Sequence, residues 1–247
     1  MISKILRYNI LSLLIFCNIF SGFCKKIVIS APIAEKEFID RLDLDEVVFE
    51  NECGIVEVPD YAFLGCENLR IVRLPDGLKK IGFQAFSECT SLEYINFPIS
   101  LEDIGSNSFT YCEKLRDPQF PDGLVHIGHN AFSFCNSLEE IFLPDSLQEI
   151  ESYAFSDCKS LRKVRFPAND KLLGELILNC CPSIDEITVQ SPVPPPFDCD
   201  SYIFDPIDTA SYSRCKLKVP EGSMAIYRES PSWSLFVNLN SSNYTSN

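Results

Sequence analysis

Twelve cysteines, two histidines and many charged side chains are the groups in this 247-residue chain that could do chemistry. Cysteine supports three kinds: disulfide bonding, metal ligation, and attack as a thiolate. Spacing decides among them. Cys66, Cys89, Cys112, Cys135, Cys158 and Cys181 recur every 23 residues. Residues at one fixed step stack in a line, and a line of small, weakly polar side chains packs as a core column of reduced thiols. No Cys-x-x-Cys pair exists to hold a metal, and Cys199 and Cys215, outside the column, could pair. His126 and His129 flank Ile127 with no glutamate between them and no third ligand nearby, so a helical zinc-hydrolase motif is absent. No nucleophile elbow, P-loop or dinucleotide glycine pattern occurs either. No cofactor or metal is expected, and a hydrolase is the remote alternative.

The elements that carry these residues follow from the same step. Phe63, Phe86, Phe109, Phe132 and Phe155 stand three before the first five cysteines, and Leu69, Leu92, Leu115, Leu138, Leu161 and Ile184 three after all six. A period of this size held without slippage marks a stacked repeat. The spacing predicts a solenoid, a leucine-rich-repeat-like right-handed coil of 23-residue units, with short parallel strands on one side and tight turns or short helical turns on the other. Ile-x-Phe and Ile-x-Leu steps such as Ile95-Asn96-Phe97 have the period of a strand. Pro75, Pro98, Pro121, Pro144 and Pro167 end each strand, because proline has no N–H for a ladder. Gly82, Gly105 and Gly128 mark a backbone site needing positive φ or close approach. The Ala-Phe-x-x-Cys segments suit one helical turn.

Two features of the strand side carry the functional reading. The residues after each first leucine are Arg70, Glu93, Arg116, Glu139, Arg162 and Asp185, alternating in sign. At about 4.8 Å between strands each would face opposite charges above and below, a structural ladder stabilising the stack. Beside it, Arg73, Tyr94, Gln119, Phe142 and Arg165 should face solvent, and arginine and aromatic side chains anchor interfaces. They form the candidate ligand-binding face. Phe83, Tyr111 and Phe134 are a rival patch on the turn side.

The ends place this array outside the cell. Lys4 and Arg7 precede an apolar run from Ile10 to Phe20, then Ser21 and Gly22. Residues 1–24 read as a signal peptide, too short for a comfortable span. A retained anchor and a lipid on Cys24 are the alternatives. The solenoid with its opening cap is placed at 37–189, a C-terminal cap at 190–239 and a disordered tail at 240–247. The net charge of −14 repels phosphate backbones, which excludes nucleic acid as a natural partner.

The units C-T-S-L-E-Y-I-N-F-P and C-N-S-L-E-E-I-F-L-P-D-S-L-Q-E-I-E-S-Y-A-F resemble BspA-like leucine-rich repeats, and K-L-K-V-P-E-G-S-M-A-I-Y with W-S-L-F is similar to the closing segment of such proteins in Bacteroidetes. The resemblance covers roughly Glu37 to Leu239. It implies export, a secreted or cell-surface setting, and adhesin-like recognition of host or bacterial proteins, including extracellular matrix. It implies no activity. A glycan ligand stacked on Tyr94 or Trp233 is the rival within the binding class.

Overall fold

The structure, a computed structural model, describes residues 25–168, 172–196, 215–231, 233, 234 and 236. The expectations for residues 1–24, Cys199 and the tail fall outside them.

All coils but one contribute a strand to a front face of parallel neighbours, in two halves. One half runs β1 (Lys25–Ile29), β2 (Leu44–Phe49), β4 (Ile71–Arg73), β6 (Tyr94–Asn96). The other runs β9 (Glu140–Phe142), β11 (Lys163–Phe166), β13 (Glu186–Val189), β14 (Lys216–Lys218). The stack begins before residue 37: β1 pairs with β2 in parallel, its Ile27 and Ile29 buried opposite Val47 and Phe49. The Ile-x-Ile step that ends in Pro32 is the visible signal of this extra coil.

The Leu-x-x-Ile-Gly half of each unit also forms strands. Two-residue segments β3 (Glu57–Val58), β5 (Lys80–Ile81), β7 (Asp103–Ile104), β8 (His126–Ile127), β10 (Glu149–Ile150) and β12 (Leu172–Leu173) make a second, uninterrupted parallel sheet. Gly82, Gly105 and Gly128, which follow three of these strands, serve close approach and not positive φ. A Cβ at Gly128 would lie 2.5 Å from the Ser106 nitrogen, inside any permitted contact.

The Ala-Phe-x-x-Cys segments are turns rather than the expected helical turn. The residues two before and two after the phenylalanine are left-handed: Gln84 and Glu88 have φ of 50° and 62°, Asn107 and Tyr111 55° and 62°. This twist aims alternate N–H groups at the following coil, so Gln84, Phe86 and Glu88 donate to Ser106, Ser108 and Thr110 carbonyls. A helix would spend those donors on itself. The hydrogen bonds to the next coil offset the local strain.

The columns fill the space between. Phe38, Phe63, Phe86, Phe109, Phe132 and Phe155 stack with successive centroids 5.1–5.4 Å apart and planes within 8°. Ring contact needs only about 3.5–4.0 Å, so the rings are offset, the favoured arrangement. Cys66, Cys89, Cys112, Cys135, Cys158 and Cys181 are fully buried thiols. Each Sγ–H donates to the carbonyl of the phenylalanine one coil back, as Cys112 does to Phe86 at 3.2 Å and Cys135 to Phe109 at 3.2 Å. At the far end α1 (Met224–Glu229) turns Tyr227 inward to donate to the Ser191 carbonyl at 2.9 Å. Trp233 is buried edge-on against Phe166, which removes it as a sugar platform.

Candidate ligand-binding face

The front sheet is continuous except at one coil. The central strand column reads Val72, Ile95, Pro118, Ile141, Val164, Ile187. Pro118 cannot donate to a ladder, and residues 115–120 form no strand. The sheet therefore divides between β6 and β9. Asp117, with φ of 33°, turns its carboxylate to accept the N–H groups of Glu139 and Glu140, both at 3.2 Å. The break was legible in that column. The proline sits between Asp117 and Gln119, and Gln119 is a member of the candidate face.

The candidate face falls into two parts about this break. On the β4–β6 side, the Arg73 guanidinium lies over the Tyr94 ring at 5.6 Å while its Nε donates to Glu46 at 3.3 Å. Tyr94 is 48% exposed. On the other side Gln119, Phe142 and Arg165 line one cleft of about 360 Å³, together with Asp122, Asp145 and Ser146. Phe142 is 47% exposed. Arg165 is half-buried, with Nη2 donating to Gln190 at 2.7 Å and Nε buried without a hydrogen-bond partner among the described residues. Gln119 donates Nε2 to the Asp117 carbonyl at 3.0 Å.

The charge column forms ion pairs at its two ends. Arg70 reaches Glu93 at 3.3 Å and Arg162 reaches Asp185 at 2.8 Å. Arg116, in the broken coil, and Glu139 make no ion pair within 4 Å among the described residues. We therefore expect Arg162→Glu to lower the melting temperature at low salt more than Arg116→Glu. Both effects should shrink in 1 M salt, since the pairs are exposed. Equal effects in differential scanning calorimetry would show that the break does not relax the ladder.

A second ladder, missed in the sequence, runs along the two-residue strands. Lys80 pairs with Glu57 at 3.2 Å, and the partner is what holds its proton more firmly than usual. His126 lies between two carboxylates, Nδ1 to Asp103 at 2.7 Å and Nε2 to Glu151 at 3.1 Å. Glu151 stands where neighbouring units have glycine, and its other oxygen accepts the His129 N–H at 2.7 Å. The alternation Glu57, Lys80, Asp103, His126 was readable, but two-residue strands have no period to announce them.

The hydrogen bond to Asp103, reinforced by Glu151, raises the His126 pKa to about 8 against the opposing effect of burial. Both ring nitrogens are occupied, so this imidazole is no general base. The folded state holds the proton more tightly than the unfolded chain. The pairing thus contributes fully below pH 6.5 and is lost as pH rises through about 8. With the side chain 28% exposed, the contribution is about 1 kcal/mol. Denaturant midpoints should fall between pH 6 and pH 9, and His126→Gln should flatten that slope. A slope unchanged in the variant would contradict the pairing.

On the turn side Tyr111 stacks on Phe134 at 4.5 Å, whereas Phe83 packs edge-on against Tyr61 at 5.2 Å. The rival patch is thus divided between two separate pairs. Among the described residues no group of three His, Cys, Asp or Glu side chains is placed to hold a metal ion. No described helix is long and apolar enough to cross a membrane.

A sequence model described as BspA type leucine rich repeat region matches residues 31–145 and 125–198, with 6 copies. A leucine-rich repeat protein from T. pallidum is 35% identical, with a TM-score of 0.57, covering 66% of this chain and 77% of that one. One from Bacteroides ovatus is 20% identical (TM-score 0.47), covering 78% of this chain and 56% of that one. The pneumococcal vaccine antigen PcpA is 18% identical (TM-score 0.41), covering 75% and 65%. No curated protein matches the chain.

Proposed function

We propose that this chain, which belongs to the BspA-type leucine-rich repeat family, is an exported, non-catalytic module that binds a protein ligand along its strand side. Its setting is the cell surface or the medium, and its role adhesin-like. The N-terminal charge-and-apolar pattern supports export. The family supports protein interaction. Against catalysis, His126 has no free ring nitrogen, and the Cys89, Cys112 and Cys181 thiols are held well above the ordinary thiol range, first by burial.

One observation carries the assignment of the face. Tyr94 and Phe142 are half-exposed aromatics on strands locked in a parallel ladder, and Arg73 is already fixed over Tyr94. Side chains ordered before binding lose little entropy on contact, and aromatic and arginine anchors dominate interface energetics.

The processed protein should be screened by pull-down against extracellular-matrix and bacterial surface proteins. With a ligand in hand, Tyr94→Ala combined with Phe142→Ala should weaken binding by about a thousandfold, since each anchor contributes about 2 kcal/mol or more. Unchanged affinity, with loss instead on changing Phe83, Tyr111 and Phe134, would assign the turn side.

A further inference from the structure

We infer that the cleft at the break in the front sheet is a binding site for a neutral pyranose. Pro118 keeps its coil out of the ladder, and the cleft lies between Pro118, Gln119, Phe120 and Asp122 of that coil, the segment from Phe142 to Ser146 at the end of β9, and Arg165 of β11. Its volume of about 360 Å³ sits at the small end of the ~300–1,000 Å³ range of ligand pockets, matching one or two sugar rings better than a folded partner.

The lining selects among ligands. A sugar hydroxyl both donates and accepts, so its site needs acceptors and donors converging on one space. Here Asp122 supplies a carboxylate acceptor, Gln119 an amide and Arg165 a guanidinium, while Asp145 adds a second carboxylate whose Oδ1 accepts the Ala168 N–H at 3.0 Å. Phe142 offers an exposed flat face, against which the C–H side of a pyranose can lie.

Two rivals fit less well. An extended peptide adding to the edge of β9 would need the N–H groups of Glu139 and Glu140, and the Asp117 carboxylate already takes both. An acidic sugar would meet Asp122 and Asp145 with only one guanidinium opposing them, and that guanidinium already donates to Gln190.

The site shares Gln119, Phe142 and Arg165 with the proposed protein-binding face, and free sugars test it without a protein partner. The full chain is mixed with methyl glycosides of neutral hexoses, N-acetylhexosamines and a uronic acid, and binding is read by saturation-transfer NMR. At least one neutral glycoside should bind, with saturation concentrated on the protons of one ring face. Phe142→Ala and Asp122→Asn should each weaken it by about tenfold or more. Both residues have exposed side chains, so thermal melts should show the variants folded. The inference is overturned if no neutral glycoside gives a signal above that of the Phe142→Ala protein. It is also overturned if the uronic acid binds best, or if both folded variants bind as well as the wild type.

Discussion

Phe132→Ala should lower the unfolding free energy by about 3–5 kcal/mol, the range for removing a buried aromatic ring. Phe132 is fully buried and sits in the middle of the stack, 5.1 Å from Phe109 and 5.3 Å from Phe155, with Phe97 and Phe120 edge-on to it. Its loss leaves a void that neighbouring rings cannot fill, because each is held by its own coil. Domains of this kind have only about 5–15 kcal/mol in total, so the change should move the denaturant midpoint far. A stacked array also divides easily into separately unfolding parts, so the transition should broaden or split. Phe132→Leu, which keeps most of the volume, should recover much of the loss. A drop no larger than that of the half-exposed Phe142→Ala would mean the aromatic column does not hold the stack.

The second large effect is chemical. Cys89, Cys112, Cys135 and Cys158 have no exposed surface, and burial raises their thiol pKa values, that of Cys112 well above the ordinary range. At the N-terminal edge Cys66 is pushed up to about 11, again by burial. Since only thiolates react, labelling must wait for the stack to open. Maleimide modification of these peptides at pH 8, followed by mass spectrometry, should be at least about a thousandfold slower in the native protein than in denaturant. It should also track global unfolding. Labelling of Cys112 on the timescale of an exposed thiol would place it outside the core.

The parts of this molecule that were legible in the sequence are those whose environment repeats. Phenylalanine, cysteine and leucine recur at one step because each coil offers the same core position as the last, and packing tolerates little change there. The two-residue strands were not legible, since alternation needs more residues than they contain. The left-handed turns were hidden for another reason. Gln84, Glu88, Asn107 and Tyr111 share no residue type, because the hydrogen bond to the next coil, not the side chain, sets their backbone. The candidate face was half legible. Outward positions could be counted, but the division of the front sheet falls at Pro118, one residue that departs from its column. A single departure carries no period, so it is found by asking what each exception does.

Photo-crosslinking tests the central claim, that the strand side at the break is the working surface, most directly. Benzoylphenylalanine placed at Gln119 and, separately, at Phe134 puts one probe on each side of the solenoid without removing a proposed aromatic anchor. After irradiation with the captured protein ligand, the probe at position 119 should form a covalent adduct and the probe at 134 should not. An adduct from 134 with none from 119 would contradict the assignment and make the turn side the surface that binds.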